Sequence, residues 1–231
     1  MKGLTPKTQA VFDNLSSLEC LKPYVLVGGT ALSLQINTRQ SEDLDFMKWR
    51  SRKDEKMEVA WPEIRRQLQS VGPVESIDVY DFDHVEFIVS GVKISFYATT
   101  RNRPQMSVKN IMNNIDVADI ESIGVMKMET MLRRSLFRDY YDIYSILKEG
   151  CNIHRMISNA VLHSEYQLKK KNLIAILSNG QRFTKDANFS QLLPKYDVTA
   201  NEIELYIKTE YVIETYSRIR KHRRKISFYT S

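Results

Sequence analysis

The stretch LVGGTALSLQINTRQSEDLDF (Leu26–Phe46) decides how the rest of the chain is read. It joins an apolar run to a glycine pair, Gly28 and Gly29, and ends on two aspartates, Asp43 and Asp45, with one residue between them. YVLVGG (Tyr24–Gly29) reads as a short buried strand ending on glycines. TALSLQIN (Thr30–Asn37) carries Ala31, Leu32 and Leu34 at helical spacing, with Thr30 as the expected N-cap. DLDFMKW (Asp43–Trp49) suits a second strand. Residues two apart on a strand point the same way, so Asp43 and Asp45 share one face and Leu44 takes the other.

Glycines at a strand-to-helix turn let a ligand come close to the backbone. The helix start behind them offers N–H groups and a favourable dipole to phosphate. A tight turn with no ligand is the plainer reading of the same pair. The aspartates add to this, because their Cα atoms would lie about 6.6 Å apart and their carboxylates converge on one cation. Two carboxylates about 4 Å apart repel by about 4 kcal/mol at an effective dielectric of about 20. A divalent ion, or water at an exposed strand end, must relieve that repulsion. Magnesium accepts carboxylates, waters and substrate phosphates together, as a nucleotide site requires.

Composition sets the bounds. The 231 residues suffice for one large domain or two small ones, and 42% apolar with 27% charged residues is the balance of a soluble globular protein. No run approaches the roughly 18 apolar residues of a membrane span, and MKGLTPKTQAVFDNLSSLEC lacks the apolar centre of a signal peptide, so a cytoplasmic location without membrane is expected. Cys20 and Cys151 form no disulfide framework or metal-ligand spacing, and the four histidines are scattered, which argues against zinc. The net charge of +6 gathers in QLKKKN (Gln167–Asn172) and SRIRKHRRK (Ser217–Lys225). These runs are solvated helix faces or a phosphate-backbone contact surface.

Beyond Trp49, the chain reads as a helix around Trp61–Val71 with Pro62 in its first turn, then strands ESIDVYD, HVEFIVS and VKISFYA. Ser90-Gly91 is a two-residue hairpin signal between the last two. From Asp119 onward the period is helical, with Asp119 as a cap, Gly150 and Gly180 as helix ends, and Thr199 with Glu202 as a capping box. The expected fold class is α/β (α+β): a mixed β-sheet core with helices over residues 1–118, followed by a helical domain over 119–231.

The glycine turn, helix and acidic pair together resemble the nucleotidyltransferase core of the DNA polymerase beta superfamily, with Gly28, Gly29, thirteen intervening residues, then Asp43 and Asp45. More narrowly, the segment resembles AbiEii/AbiGii-type nucleotidyltransferase toxins, whose Arg-x-Ser-x-Asp-x-Asp run is matched by Arg39, Ser41, Asp43 and Asp45. VKISFY (Val92–Tyr97) is similar to a strand of that family. DIESIGVMKMETMLRRSLFRDYYDIYSIL is similar to its helical signature, in which a lysine precedes a basic-Asp-x-x-Asp cluster: here Lys127, Arg138, Asp139 and Asp142.

The resemblance implies a Mg2+-dependent transferase, the toxin of a toxin–antitoxin pair. It would move a nucleoside monophosphate from an NTP to a hydroxyl of tRNA and release pyrophosphate. A small-molecule or protein acceptor, or a nucleotide-binding protein without turnover, are the alternatives. Asp43 and Asp45 would hold the metal, one of them also helping to deprotonate the attacking group. Gly28, Gly29 and Thr30 would bind nucleotide. Arg39 and Ser41 would hold phosphate or merely satisfy the loop. Lys127 would aim a cation at the triphosphate, or snorkel at a helix edge. Asp142 would orient Lys127 or contact the metal-nucleotide, and Asp139 suits a helix start. Phe96, Tyr97, Tyr140, Tyr141 and Tyr144 read as core. Ser95 stands where many superfamily members carry a third carboxylate, with Asp78 and Glu86 on neighbouring strand candidates, so one metal is expected.

Overall fold

The computed structural model describes residues 2–102, 106–164 and 168–229, with the backbone alone for 101–102 and 218–229. The charged side chains at 218–225 that the sequence singled out, and Gln167, thus lie outside the described residues. The chain divides into two compact units, one of residues 1–123 with 190–195, the other of 124–189 with 196–231.

The first unit is built on a seven-stranded mixed sheet. In chain order its elements are helix α1 (Pro6–Leu15), strand β1 (Val25–Val27), helix α2 (Gly28–Ile36), strand β2 (Leu44–Arg50) and helix α3 (Trp61–Leu68). Strands β3 (Val74–Asp81), β4 (His84–Val89), β5 (Val92–Asn102), β6 (Val108–Met112) and β7 (Ile115–Ala118) follow. The strands are ordered β3-β4-β5-β2-β1-β7-β6. β1 pairs antiparallel with β2 and parallel with β7, and β2 pairs parallel with β5. The β4–β5 hairpin turns at Ser90 (φ 48°) and Gly91 (φ 70°), the two left-handed residues of a type I′ turn, as the sequence predicted.

Period-two alternation separates the two faces of this sheet. Leu44, Phe46, Val85, Phe87, Ile94 and Phe96 are buried on one face, and Phe46 stacks on Phe96 at 5.4 Å. The other face carries Asp45, Ser95, Glu86 and His84, in register across β2, β5 and β4.

Helix α1 and strands β6 and β7 are additions to the sequence reading. α1 is announced by Thr5, whose hydroxyl accepts from the Thr8 N–H at 3.4 Å, and by Pro6 in the first turn. Thr30 is not the cap of α2. The helix begins two residues earlier, at Gly28, with Val27 at the N-cap, because the glycines enter helical hydrogen bonding directly from the strand.

The second unit is helical. α4 (Ile120–Arg133) enters it from the first unit; α5 (Phe137–Lys148), α6 (Ile153–His163), α7 (Lys170–Leu177) and α8 (Ala200–Tyr229) complete it. Asp119 caps α4 by accepting from the Ser122 N–H at 2.9 Å. The Thr199–Glu202 box forms reciprocally: the Thr199 N–H donates to Glu202 Oε2 at 2.7 Å, and the Glu202 N–H to Thr199 Oγ1 at 3.3 Å. Gly180 does not end a helix. α7 stops at Leu177, and Gly180 opens a short 3-10 turn, its N–H donating to Glu204 Oε2 at 2.7 Å. Tyr140 and Tyr141 are buried here as expected, stacked on Phe183 and edge-on to Phe189.

Candidate active site

The first unit brings the glycine pair and the acids together. Val27 lies opposite Asp45 in the β1–β2 ladder, so the turn leaves β1 directly beside that carboxylate. Gly28 sits at φ +71°, and a Cβ there would lie 2.7 Å from Asp45 Oδ2. Both facts demand glycine. A Cβ on Gly29 would collide with the Arg39 guanidinium and lie 3.2 Å from Ser41 Oγ. The turn is therefore flanked by Asp45 on one side and by Arg39 and Ser41 on the other.

The loop from α2 to β2 is held from inside. Thr30 is buried; its hydroxyl donates to the Asp43 carbonyl and shares a 2.9 Å hydrogen bond with the Ser41 hydroxyl. Arg39 is also buried and donates from Nη1 to the Gln40 carbonyl at 2.8 Å. These side chains brace the turn against the entry to β2. Val27, at the N-cap of α2, has no side-chain acceptor for the first N–H groups of the helix, which an anion would satisfy.

Asp43 and Asp45 differ from ordinary surface acids in their surroundings. The Asp43 side chain is 44% exposed, and its Oδ2 lies 3.5 Å from Lys93 Nζ on β5. Burial weakens the Lys93 ammonium, but the charges of Asp43, Glu86 and Asp45 outweigh it and raise the pKa. Lys93 thus senses three carboxylates. Ser95, across from Asp45, is fully buried, and its hydroxyl is 3.5 Å from Glu86 Oε1. Glu86, one strand further out on β4, is the carboxylate that faces Ser95.

Among the described residues, no three His, Cys, Asp or Glu are grouped to hold a metal. The chain offers hard carboxylate oxygens: Asp45 against the Gly28 turn, and Asp43 two residues before Asp45 in sequence. That donor set fits Mg2+, which completes its shell with water and substrate phosphate.

In the second unit, Lys127 and Asp142 meet each other. Lys127 Nζ lies 2.7 Å from Asp139 Oδ1 and 2.9 Å from Asp142 Oδ2, with the lysine side chain 7% exposed and both acids at 0%. Arg134 forks onto Asp139 at 2.7 and 3.0 Å. Burial would raise the Asp139 carboxyl, but Lys127 and Arg134 hold it at about 2. The snorkelling alternative is corrected: the ammonium is turned inward and neutralised by carboxylates, fastening α4 to α5. Arg138 forks onto Asp186 at 2.7 and 2.8 Å.

Sequence reasoning missed Lys93 as a partner of the acids and misplaced Tyr97. Tyr97 is not core; it is half-buried and stacks on His84 at 4.3 Å on the same face as Asp45. The signal was present in the alternation: Lys93, Ser95 and Tyr97 fall out of phase with the core residues Ile94 and Phe96.

A glycine turn packed against a carboxylate thus stands where β1 ends, beside the start of β2. The family model of the nucleotidyl transferase AbiEii toxin of type IV toxin–antitoxin systems matches residues 9–205, and the chain belongs to this family of nucleotidyltransferases. Membership implies a nucleotide substrate and an antitoxin partner. The chain is 24% identical over 149 residues to the uncharacterized protein aq_aa25 of Aquifex aeolicus, covering 64% of this chain and 69% of that one. Its fold is similar to that of JHP933 from Helicobacter pylori (TM-score 0.53, 18% identity, 99% of this chain and 100% of that one). It is also similar to an H. pylori protein described as a candidate nucleotidyltransferase (TM-score 0.50, 18% identity, 89% and 90% covered). No helix among the described residues is long and apolar enough to cross a membrane.

Proposed function

We propose that the chain binds an NTP with its triphosphate on the Gly28–Gly29 turn and transfers the nucleoside monophosphate to a hydroxyl of RNA, with tRNA as the acceptor class. The observation that carries this reading is the packing of Asp45 against Gly28, where a Cβ would stand 2.7 Å from Oδ2. A carboxylate that close to a phosphate-binding turn would repel the phosphate unless a cation lay between them.

The first N–H groups of α2 would receive the terminal phosphates, with the helix dipole favouring their charge. Asp43 and Asp45 would hold Mg2+, which supplies neutralisation of the transferring phosphoryl group and of the leaving pyrophosphate. Lys93 balances Asp43 before substrate arrives and keeps the half-exposed carboxylate in place. Asp45, at hydrogen-bond reach of the incoming hydroxyl, would accept its proton. Thr30, Arg39 and Ser41 keep the turn rigid, so that little reorganisation accompanies transfer. The excess positive charge suits an RNA partner.

The test is incubation of the protein with α-labelled NTPs and total cellular RNA. Label in the RNA fraction, abolished by Asp45→Ala, is the expected result. Label in protein or small molecules instead would overturn RNA as acceptor, and no transfer at all would overturn the enzyme reading.

A further inference from the structure

The sheet face that carries Asp45 does not end at the acids. Across β5, β4 and β3, three aromatic rings stand in a stack: Tyr97 on His84 at 4.3 Å and His84 on Tyr80 at 4.6 Å, each pair inclined by 22°. β3 is the edge strand of the sheet, so Tyr80 is the outermost ring. It is 62% exposed, as is Phe82 in the adjoining turn. A large aromatic ring left open to water at the end of a stack is poor packing for a core, and it offers a face to another flat ring.

Direction follows from the chemistry. The attacking and leaving oxygens of phosphoryl transfer lie roughly in line. With pyrophosphate resting on the turn at the end of β1, the acceptor hydroxyl must reach the acids of β2 from the opposite side, over β5 and β4. That is the side of the stack. Neighbouring strands are about 4.8 Å apart, so the rings extend from about 5 to about 15 Å beyond β2, the reach of a few nucleotides.

Charge selects which part of an acceptor fits. Glu86 lies 3.4 Å from both the Tyr80 hydroxyl and His84 Nε2, and Asp78 is its neighbour on β3. These carboxylates repel a phosphate backbone but accept hydrogen bonds from the amino groups of nucleobases. We infer that Tyr80, with His84 and Tyr97 behind it, is a stacking platform for bases near the 3′ end of a single-stranded RNA acceptor, with Glu86 contacting a base amino edge. The inference rests on the RNA-transfer reading above and specifies how that acceptor is held.

The test measures affinity without turnover. A short 5′-fluorescein-labelled single-stranded RNA and a counterpart with abasic nucleotides near its 3′ end are titrated with the full chain in the absence of NTP. The wild type is expected to prefer the intact RNA. Tyr80→Ala should weaken that RNA by about 5- to 150-fold, as loss of one base–aromatic stack does. The same variant should leave the abasic strand and NTP binding unchanged, and Tyr80→Phe should retain wild-type affinity. Equal affinity of wild type and Tyr80→Ala for the intact RNA, or no wild-type preference over the abasic strand, overturns the platform. Failure of the underlying reading shows separately, as a wild type that transfers label from α-labelled NTP to no RNA.

Discussion

Two sets of aspartates in this molecule are treated in opposite ways. Asp139 and Asp142 are fully buried, each held to the Lys127 ammonium at under 3 Å, and Asp139 also accepts the Arg134 fork. Asp43 is 44% exposed and meets its lysine only at 3.5 Å, while Asp45 overhangs a glycine turn. The buried set has its charge compensated by the chain itself, as the interior requires. Asp43 is half exposed, and Asp45 lies against the first residue of α2. The enclosed acids join α4 to α5; the half-exposed ones are those the proposed function assigns to a ligand.

Substitutions can break that contrast. The largest expected effect is on activity at the half-exposed pair: Asp45→Asn should lower nucleotidyl transfer by about 10²- to 10³-fold or more, with little change in melting temperature, because the amide keeps the carboxylate's shape. At the enclosed set the order reverses. Asp142→Ala should cost about 3–5 kcal/mol of stability in urea unfolding, since it strips a partner from a buried ammonium. An Asp142→Ala protein of wild-type stability would show that this network does not hold the helices.

Acid titration sharpens the same contrast. The Asp139 carboxyl is held at about 2 against an ordinary value of 3.8. A depressed folded-state pKa contributes stability that is complete above the unfolded value and is lost as pH falls through the folded one. Asp139 should therefore contribute about 2 kcal/mol that disappears between about pH 4 and pH 2, and Asp139→Asn should flatten that part of the stability profile. Gly28→Ala joins the two readouts. Its left-handed φ and the crowding by Asp45 should cost about 1–3 kcal/mol, and NTP binding should weaken with it. The smallest effect belongs to the capping box, where Thr199→Ala should cost about 1 kcal/mol of stability and leave transfer intact.

Local signals account for most of what could be read in advance. Ser90-Gly91 specifies a turn by its own dihedral preferences, and Thr199 and Glu202 specify a helix start by side chains three residues apart. Strand periodicity predicts Asp43 and Asp45 on one face of a single strand, but β2 begins at Leu44, so Asp45 lies on the strand and Asp43 stands just before its first residue. What escaped reading depends on pairing between distant segments. β6 and β7 are five and four residues long; their identity comes from the register Val25–Asp116 and Val108–Ala118, which no local pattern encodes. The same holds at the site. Lys93 reaches Asp43 only because β5 lies parallel to β2, and Glu86 faces Ser95 only because β4 pairs with β5. Lys127 carried an ambiguous signal, since its own helix fits either a snorkelling lysine or a cation aimed at phosphate; Asp142 is the expected partner, and Asp139 joins it.

The central claim is that a cation joins the Asp43–Asp45 pair to a triphosphate on the Gly28–Gly29 turn, and calorimetric titration of NTP with and without Mg2+ tests it most directly. The wild type should bind at least about 10-fold more tightly with Mg2+, and Asp45→Asn should bind weakly and equally in both conditions. NTP binding by the wild type that ignores Mg2+, or an Asp45→Asn protein that keeps the full Mg2+ response, would contradict it.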